Sequence, residues 1–205
     1  HKILVVARTT RYEDAPKRSV GISNFLIDVD REGLTHSAID KVGTNTNPSS
    51  LVFFQDVEVR PDELLGTLDH GWPELLEVLN TERIVTTAGL VGAGKLALQL
   101  GTNYARERKV FGDTPIGTYQ GLQFPLAQAY AELECARLMN LKAAWLHDTE
   151  QPYGSEANTA KMIASQAATK AIERAMQTMG GMGFSKEMDV ERLWRDARLF
   201  HFAPV

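Results

Sequence analysis

The chain has 205 residues, of which 43% are hydrophobic and 23% are charged, and its formal net charge is −4. These proportions are ordinary for a globular protein, and the length allows one large domain or two smaller ones. The acidic balance, without a long block of Lys or Arg, argues against nucleic-acid binding. No apolar run approaches the roughly 18 residues that a membrane span requires, so we expect none.

The single cysteine, Cys135, excludes an internal disulfide framework and fits a reducing compartment. It lies in an amphipathic helical stretch, where we expect a small buried side chain. The five histidines are scattered without ligand spacing, so no metal site is expected. The chain begins at His1 inside a strand-like run, without Met or a signal peptide, and we therefore expect the later portion of a longer protein.

Residues 1–66 predict β structure. Runs rich in β-branched and aromatic residues lie at 3–7, 21–28 and 51–59, with a shorter candidate strand at 34–39. Charged or turn-rich segments separate these runs, and no helical pattern intervenes. The pattern predicts part of an antiparallel β-sandwich or barrel.

From about residue 69 the hydrophobic period becomes helical. Ser155 and Ser185 are candidate N-caps, and the glycine cluster at 180–183 ends a helix. The predicted helices cover residues 71–108, 117–147, 155–179 and 185–199. Short connections between them predict an antiparallel four-helix bundle over residues 67–205, so the expected fold class is α+β.

One glycine-rich segment matches a nucleotide-binding motif. Residues 89–95, GLVGAGK, fit the P-loop pattern up to its lysine, but Leu96 follows where the motif needs Ser or Thr. The preceding residues keep helical spacing, whereas a P-loop follows a strand. We therefore reject a nucleotide hydrolase and expect small residues that let two helices approach closely.

The first predicted helix carries a candidate catalytic carboxylate. Its apolar stripe continues from Leu79 to Glu82 or Arg83 and then to Thr86 and Leu90. A carboxylate on that buried face would have a raised pKa, which suits a general base. The alternative, which the pattern alone favours, is that Glu82 lies at the boundary and pairs with a cation one turn away.

A basic cluster ends the same helix. Arg106, Arg108 and Lys109 precede Phe111 and Gly112. The planar guanidinium of arginine suits a pyrophosphate, because it donates two parallel hydrogen bonds. The alternative is a solvated helix C-terminus, where cations are favourable without any ligand.

Four sequence features together carry a family resemblance: RERKVFG at 106–112, Gln120, QTMGGMGF at 177–184 and RLWRDAR at 192–198. They resemble the flavin-contacting half of an acyl-CoA dehydrogenase, and the resemblance covers nearly the whole chain. It implies that residues 1–66 are the remainder of a middle β-domain and residues 67–205 the C-terminal helical domain.

The resemblance implies which residues contact FAD. The Arg-Lys-x-Phe-Gly segment and the following Gln contact the FAD of a neighbouring subunit, and the Gln-x-x-Gly-Gly turn contacts its adenosine part. Val110 stands where Thr or Ser is common, so one hydroxyl contact is expected to be lost. Carried over, the contacts are Arg108, Val110, Phe111, Tyr119, Gln120, Gln177, Gly180 and Gly181.

The resemblance also bears on the catalytic base. Common members carry Tyr-Glu-Gly-Thr after Arg-Asp-Ala, and that Glu is the base, whereas the ungapped match here is Ala203, Pro204 and Val205. Residues 80–85, NTERIV, are similar to the segment from which isovaleryl-CoA and long-chain members take their base. That base matches Glu82, and Asn80 and Arg83 are implied to lie along the acyl-CoA channel.

The resemblance implies FAD-dependent oxidation of an acyl-CoA to the trans-2-enoyl-CoA in fatty acid metabolism, with electron-transferring flavoprotein as the electron acceptor. It implies a homodimer or homotetramer in a bacterial cytoplasm or a mitochondrial matrix, and a chain that does not hold FAD competently alone. Two alternatives stay open. One is a flavin oxidase or monooxygenase on the same scaffold, and the other is a catalytically silent structural or binding member.

Overall fold

A computed structural model describes residues 1–203 of the chain, and Pro204 and Val205 lie outside the described residues. Within the described part, four α-helices are combined with small antiparallel sheets, as the predicted α+β class requires. The chain divides into two compact units. The first comprises His1–Lys41 and Asn45–Leu79, and the second comprises Val42–Thr44 and the chain from Asn80 onward.

The first unit holds the larger sheet and a separate strand pair. Strands β1 and β2 pair antiparallel along their whole length, with Lys2 opposite Asp28, and β5 adds to the other edge of β2. β3 and β4 pair with each other, with Leu34 opposite Phe54. The strands are β1 (Lys2–Arg8), β2 (Ile22–Asp28), β3 (Leu34–Ala38), β4 (Ser50–Phe54) and β5 (Leu64–Leu65).

The prediction that the third long strand reaches residue 59 was wrong. β4 ends at Phe54, and Asp56 adopts a φ of +50°. That left-handed conformation is incompatible with a continuing strand, so the chain turns away there. A 3₁₀ turn at Pro61–Glu63 then leads into β5.

The helical segments of the chain follow the predicted order. β6 and β7 form a two-stranded hairpin between α1 and α2, which the sequence did not predict. α2 begins later than expected because Ile116–Thr118 form a 3₁₀ turn. The elements are α1 (Gly71–Glu107), β6 (Lys109–Val110), β7 (Thr114–Pro115), α2 (Gln120–Asp148), α3 (Gly154–Met179) and α4 (Asp189–Arg198).

Buried residues from all four helices form one hydrophobic core, with Leu98, Leu133, Ile172 and Val190 among its members. α1 and α3 pack closely, since a Cβ added to Gly101 would lie 2.9 Å from the Cα of Ala175. Seven alanines of α3 are at most 2% exposed: Ala157, Ala160, Ala164, Ala167, Ala168, Ala171 and Ala175.

The segment Val42–Thr44 belongs to the helical unit through its contacts with α4. Arg195 Nη1 donates to the Val42 carbonyl at 2.9 Å, and the Thr44 amide donates to Asp196 Oδ1 at 2.6 Å. Gly43 has no space for a side chain, because an added Cβ would lie 2.7 Å from the same Asp196 oxygen.

Helix α1 is long and apolar enough, by length and composition alone, to cross a membrane. A core helix of a water-soluble protein passes the same test, and Leu90, Val91, Ala97 and Leu98 of α1 are buried in the hydrophobic core. Residues 89–95 lie inside this continuous helix, so the rejection of a P-loop is confirmed.

The expectation of a buried cysteine was wrong, because Cys135 is exposed. The buried positions of α2 include Leu133 and Ala136, which face the core. Because successive residues turn by about 100° around a helix, Cys135 lies beyond the edge of that buried stripe.

Candidate functional site

The hairpin after α1 presents an aromatic side chain in an uncommon backbone conformation. Its strands are held by Val110 opposite Thr114, and the Ile116 amide donates to the Arg108 carbonyl at 2.8 Å. Phe111 at the tip has a φ of +51° and is 92% exposed. A bulky residue in the left-handed region costs conformational energy, and such strain clusters at functional sites.

The C-terminal end of α3 forms a glycine turn. Gly180 has φ 59° and ψ −135°, a conformation that essentially only glycine adopts. A Cβ added to Gly180 or Gly181 would meet no atom within 4 Å, so the turn faces open space. Its backbone can therefore be approached closely by a ligand.

These two segments and the first turn of α2 line one concave surface, which encloses a volume of about 820 Å³. The structure thus brings together seven of the eight predicted cofactor contacts: Arg108, Val110, Phe111, Tyr119, Gln177, Gly180 and Gly181. The eighth, Gln120, is not among the lining residues, although the adjacent Gly121 is.

The floor of this concave surface is largely apolar and was not predicted. Tyr104, Ile116, Leu122, Met179 and Met182 belong to it. Tyr104 lies one helical turn before Arg108, and the two methionines flank the glycine pair, so helical spacing and adjacency to the motifs could have indicated them.

The polar groups at the rim suit an anionic ligand. Arg108 is exposed, and its fork of N–H donors matches phosphate oxygens. α2 is 29 residues long, and Tyr119 at its N-cap makes no side-chain capping bond. The positive end of the helix dipole therefore lies at the lining residues Tyr119 and Gly121. With the apolar floor, these donors fit a ligand that joins aromatic rings through phosphates.

The candidate base lies elsewhere on α1. The inward stripe contains Arg83, which is 7% exposed, whereas Glu82 is exposed, so the interpretation that Glu82 interrupts the buried face is not supported. Arg83 Nη1 donates to Asn80 Oδ1 at 2.7 Å. None of these three residues lines the concave surface. Residues 82 and 108 are separated by about 39 Å of helix.

Sequence reasoning missed two titratable groups, Lys161 and His201, whose pKa values are shifted in the structure. Burial, and then the charge of Arg83, lowers the pKa of Lys161 on α3. Burial, followed by the charges of Arg198 and Lys161, lowers the pKa of His201, whose Nε2 lies 2.7 Å from Thr169 Oγ1. Pro204 and Val205, the predicted replacement of the common base loop, lie outside the described residues.

The fold and this surface define a helical domain with a concavity large enough for a cofactor. Residues 69–203 match the family described as acyl-CoA dehydrogenase, C-terminal domain. Acyl-CoA dehydrogenase FadE12 of Mycobacterium tuberculosis is 38% identical over 205 residues, which cover 99% of this chain and 52% of that protein. The chain therefore belongs to the acyl-CoA dehydrogenase family.

Solved structures agree with this assignment. Butyryl-CoA dehydrogenase from Megasphaera elsdenii is 31% identical with a TM-score of 0.88, over 98% of this chain and 51% of that chain. The prolyl acyl carrier protein oxidase AnaB is 27% identical with a TM-score of 0.91, over 98% of this chain and 52% of that chain. The chain thus spans about half the length of the proteins that it matches.

Proposed function

We propose that the complete protein is an FAD-dependent dehydrogenase that converts an acyl-CoA thioester to the trans-2-enoyl-CoA. The observation that carries the proposal is the concave surface lined by Arg108, Phe111, Gln177 and the glycine pair, because these are residues to which the family resemblance assigns flavin contact. Membership of the acyl-CoA dehydrogenase family supports the same reaction class.

The chain's own residues would hold FAD through complementary groups. Arg108 would donate to the pyrophosphate, and the backbone at Gly180 and Gly181 would lie against the adenosine part. Gln120 and Gln177 would supply amide hydrogen bonds, and Phe111 and Tyr119 would supply aromatic contact. Val110 offers no hydroxyl. When bound, FAD supplies the hydride acceptor.

Glu82 is the proposed general base, whose carboxylate removes the α-proton of the bound thioester. The base must lie on one face of the Cα–Cβ bond and the hydride acceptor on the other, at near-attack distance. Asn80 and Arg83, on the same turn of α1, are proposed to line the acyl-CoA channel. Exposure of Glu82 on this chain leaves its carboxylate accessible to substrate.

The finer features of assembly belong to the same proposal. Residues 1–66 and 67–205 would be the end of a middle β-domain, with sandwich or barrel architecture, and an antiparallel four-helix-bundle domain. The flavin contacts would reach the FAD of a neighbouring subunit in a homodimer or homotetramer. Electrons would leave to an electron-transferring flavoprotein.

The test is an anaerobic titration of the complete protein with acyl-CoAs of different chain length, followed by the visible flavin absorbance. The flavin absorbance of wild type should bleach. It should also bleach in the control Glu77→Gln, which replaces an exposed glutamate on the same helix. Glu82→Gln should lower the reduction rate by at least about 100-fold. Bleaching by Glu82→Gln at the wild-type rate would remove Glu82 as the base. Bleaching by no variant would favour a catalytically silent member.

A second candidate, a flavin oxidase on the same scaffold, is favoured by the similarity to AnaB, which is an oxidase acting on a prolyl acyl carrier protein. The reduced protein would distinguish the two, because a dehydrogenase should stay reduced in air far longer than an oxidase. Rapid oxygen consumption during turnover with an acyl thioester would support the oxidase.

A further inference from the structure

The turn of α1 that carries Glu82 is joined to the beginning of α3 by a hydroxyl pair. Thr81 Oγ1 and the Tyr153 hydroxyl lie 3.0 Å apart. Tyr153 is the residue immediately before α3, and its ring also meets His147 edge to face, with ring centroids 5.1 Å apart. The hydroxyl is therefore presented to α1 by a ring that is held by a neighbouring helix.

A second junction lies one residue away on the same turn. Asn80 Oδ1 accepts from Arg83 Nη1 at 2.7 Å and from Asn158 Nδ2 at 3.5 Å. Asn158 Nδ2 also donates to the Gly154 carbonyl at 2.5 Å, which anchors the amide to the first turn of α3. A Cβ added to Gly154 would lie 3.1 Å from Asn80 Nδ2, so the two helices meet closely at this point.

The two junctions fix the direction in which Glu82 projects. Residues of a helix are about 100° apart, so neighbours held to α3 and to the core determine the direction of the residue between them. Thr81 is held by Tyr153, Arg83 is 7% exposed, and Glu82 between them is exposed. A small rotation of this turn about the helix axis would move the carboxylate without changing the fold.

We propose that Tyr153 and Asn158 are positioning residues that fix the rotation of the α1 turn and thereby the carboxylate of Glu82. The inference rests on the proposed role of Glu82 as the base. Proton abstraction depends steeply on geometry, because a misplacement of about 1 Å costs on the order of 100-fold in rate. Neither residue is proposed to touch the reacting atoms.

The experiment compares Tyr153→Phe with Tyr130→Phe in the complete protein. Each substitution removes one tyrosine hydroxyl, and Tyr130 is an exposed residue on α2. We expect Tyr153→Phe to lower the rate of flavin reduction about tenfold. The dissociation constant of the acyl-CoA should stay within about twofold, and the kinetic isotope effect of α-deuterated substrate should rise, because proton abstraction becomes more rate-limiting. Tyr130→Phe should match wild type.

Two variants of the partner residue test the same contact from the other side. Thr81→Val should reproduce the defect of Tyr153→Phe. The double variant should be no slower than either single variant, because both substitutions remove the same hydrogen bond between residues 81 and 153. Thr81→Ser keeps a hydroxyl and should retain most of the wild-type rate of flavin reduction.

Asn158→Asp tests the second junction. It keeps the size of the side chain but removes its N–H donors, and it should also slow flavin reduction.

The outcomes separate the inference from the function on which it rests. If Glu82→Gln abolishes reduction while Tyr153→Phe changes neither the rate nor the isotope effect, the inference fails and the base stands. If Glu82→Gln reduces flavin normally, the proposed base fails, whatever Tyr153→Phe does. A purely structural role would lower the thermal midpoint of Tyr153→Phe and leave the isotope effect unchanged, which would also overturn the inference.

Discussion

Glu63 is the most strongly perturbed carboxylate in the described part of the β unit. Its side chain is 4% exposed and contacts Arg31 through both carboxylate oxygens. The Arg60 amide donates to Oε2 at 2.9 Å. The hydrogen bond from Arg31, and then the one from the Arg60 backbone, lower the pKa of Glu63 from 4.5 to about 2. The ionised form is thus an integral part of the fold.

Stability should therefore depend on pH through this residue. Its folded-state pKa lies below the unfolded value, so its contribution is fully present above about pH 4.5 and is lost as the pH falls toward 2. Glu63→Gln should lower the thermal midpoint of the complete protein at pH 7. It should also flatten the dependence of the midpoint on pH in that window.

The control is Glu13→Gln, which neutralises an exposed glutamate of the same unit. Thermal melts of the three proteins at pH 7 and along an acid series make the comparison. Parallel pH curves for wild type and Glu63→Gln would contradict the prediction.

The limits of sequence reasoning are clear at Glu82 and Arg83. Helical spacing predicted that one of the two continues the apolar stripe, but the 3.6-residue period leaves neighbouring positions unresolved. The structure buries Arg83 because its guanidinium finds an acceptor in Asn80. That contact also involves Asn158 on α3, a partner 78 positions along the chain, which no local pattern reveals.

At the scale of elements, the approach of α1 to α3 depends on the absence of a side chain at Gly101. A Cβ there would lie 2.9 Å from the Cα and 3.0 Å from the Cβ of Ala175, neither of which is the end of a flexible side chain. Gly101→Ala should therefore destabilise the complete protein by about 1–2 kcal/mol, although alanine gains about 1 kcal/mol in helix propensity. Chemical denaturation measures the difference.

Gln99→Ala, on the exposed face of the same helix, is the matched control and should leave the free energy of unfolding within about 0.5 kcal/mol of wild type. A stabilised Gly101→Ala variant would show that α3 can move away from α1 without loss of packing.

The sequence predicted the long elements well and the short ones poorly. The four helices were predicted because apolar spacing persists over many turns, and their observed bounds differ from the prediction by at most four residues. β5, β6 and β7 have two residues each, too few to show a period. β5 exists through its pairing with Phe25 and Asn24 of β2, a contact set by the fold rather than by local sequence.

At the scale of the whole molecule, the concave surface at the helix ends is open, with Phe111 92% exposed at its rim. A ligand seated there would need further contacts to be held tightly. FAD should therefore raise the thermal midpoint of the complete protein markedly and that of this 205-residue chain little.

In the complete protein, Arg108→Ala should reduce the amount by which FAD raises the thermal midpoint. Arg106→Ala is the control. It removes an equal charge two residues away, at a position that does not line the surface, and FAD should raise its thermal midpoint as in wild type. Thermal melts with and without FAD measure both. An equal loss in the two variants would mean that Arg108 contributes only general electrostatic attraction.

The seven buried alanines of α3 restrict how this protein can evolve. Alanine is the smallest side chain that still favours a helix, and each of these alanines is almost completely buried against its neighbours. A larger side chain at one of these positions would require a smaller side chain at a neighbouring position. Single substitutions there are therefore restricted to other small residues, such as glycine or serine. Divergence among descendants should accumulate on the outer faces of the helices and in their connections, while the spacing between α3 and its neighbours is inherited almost unchanged.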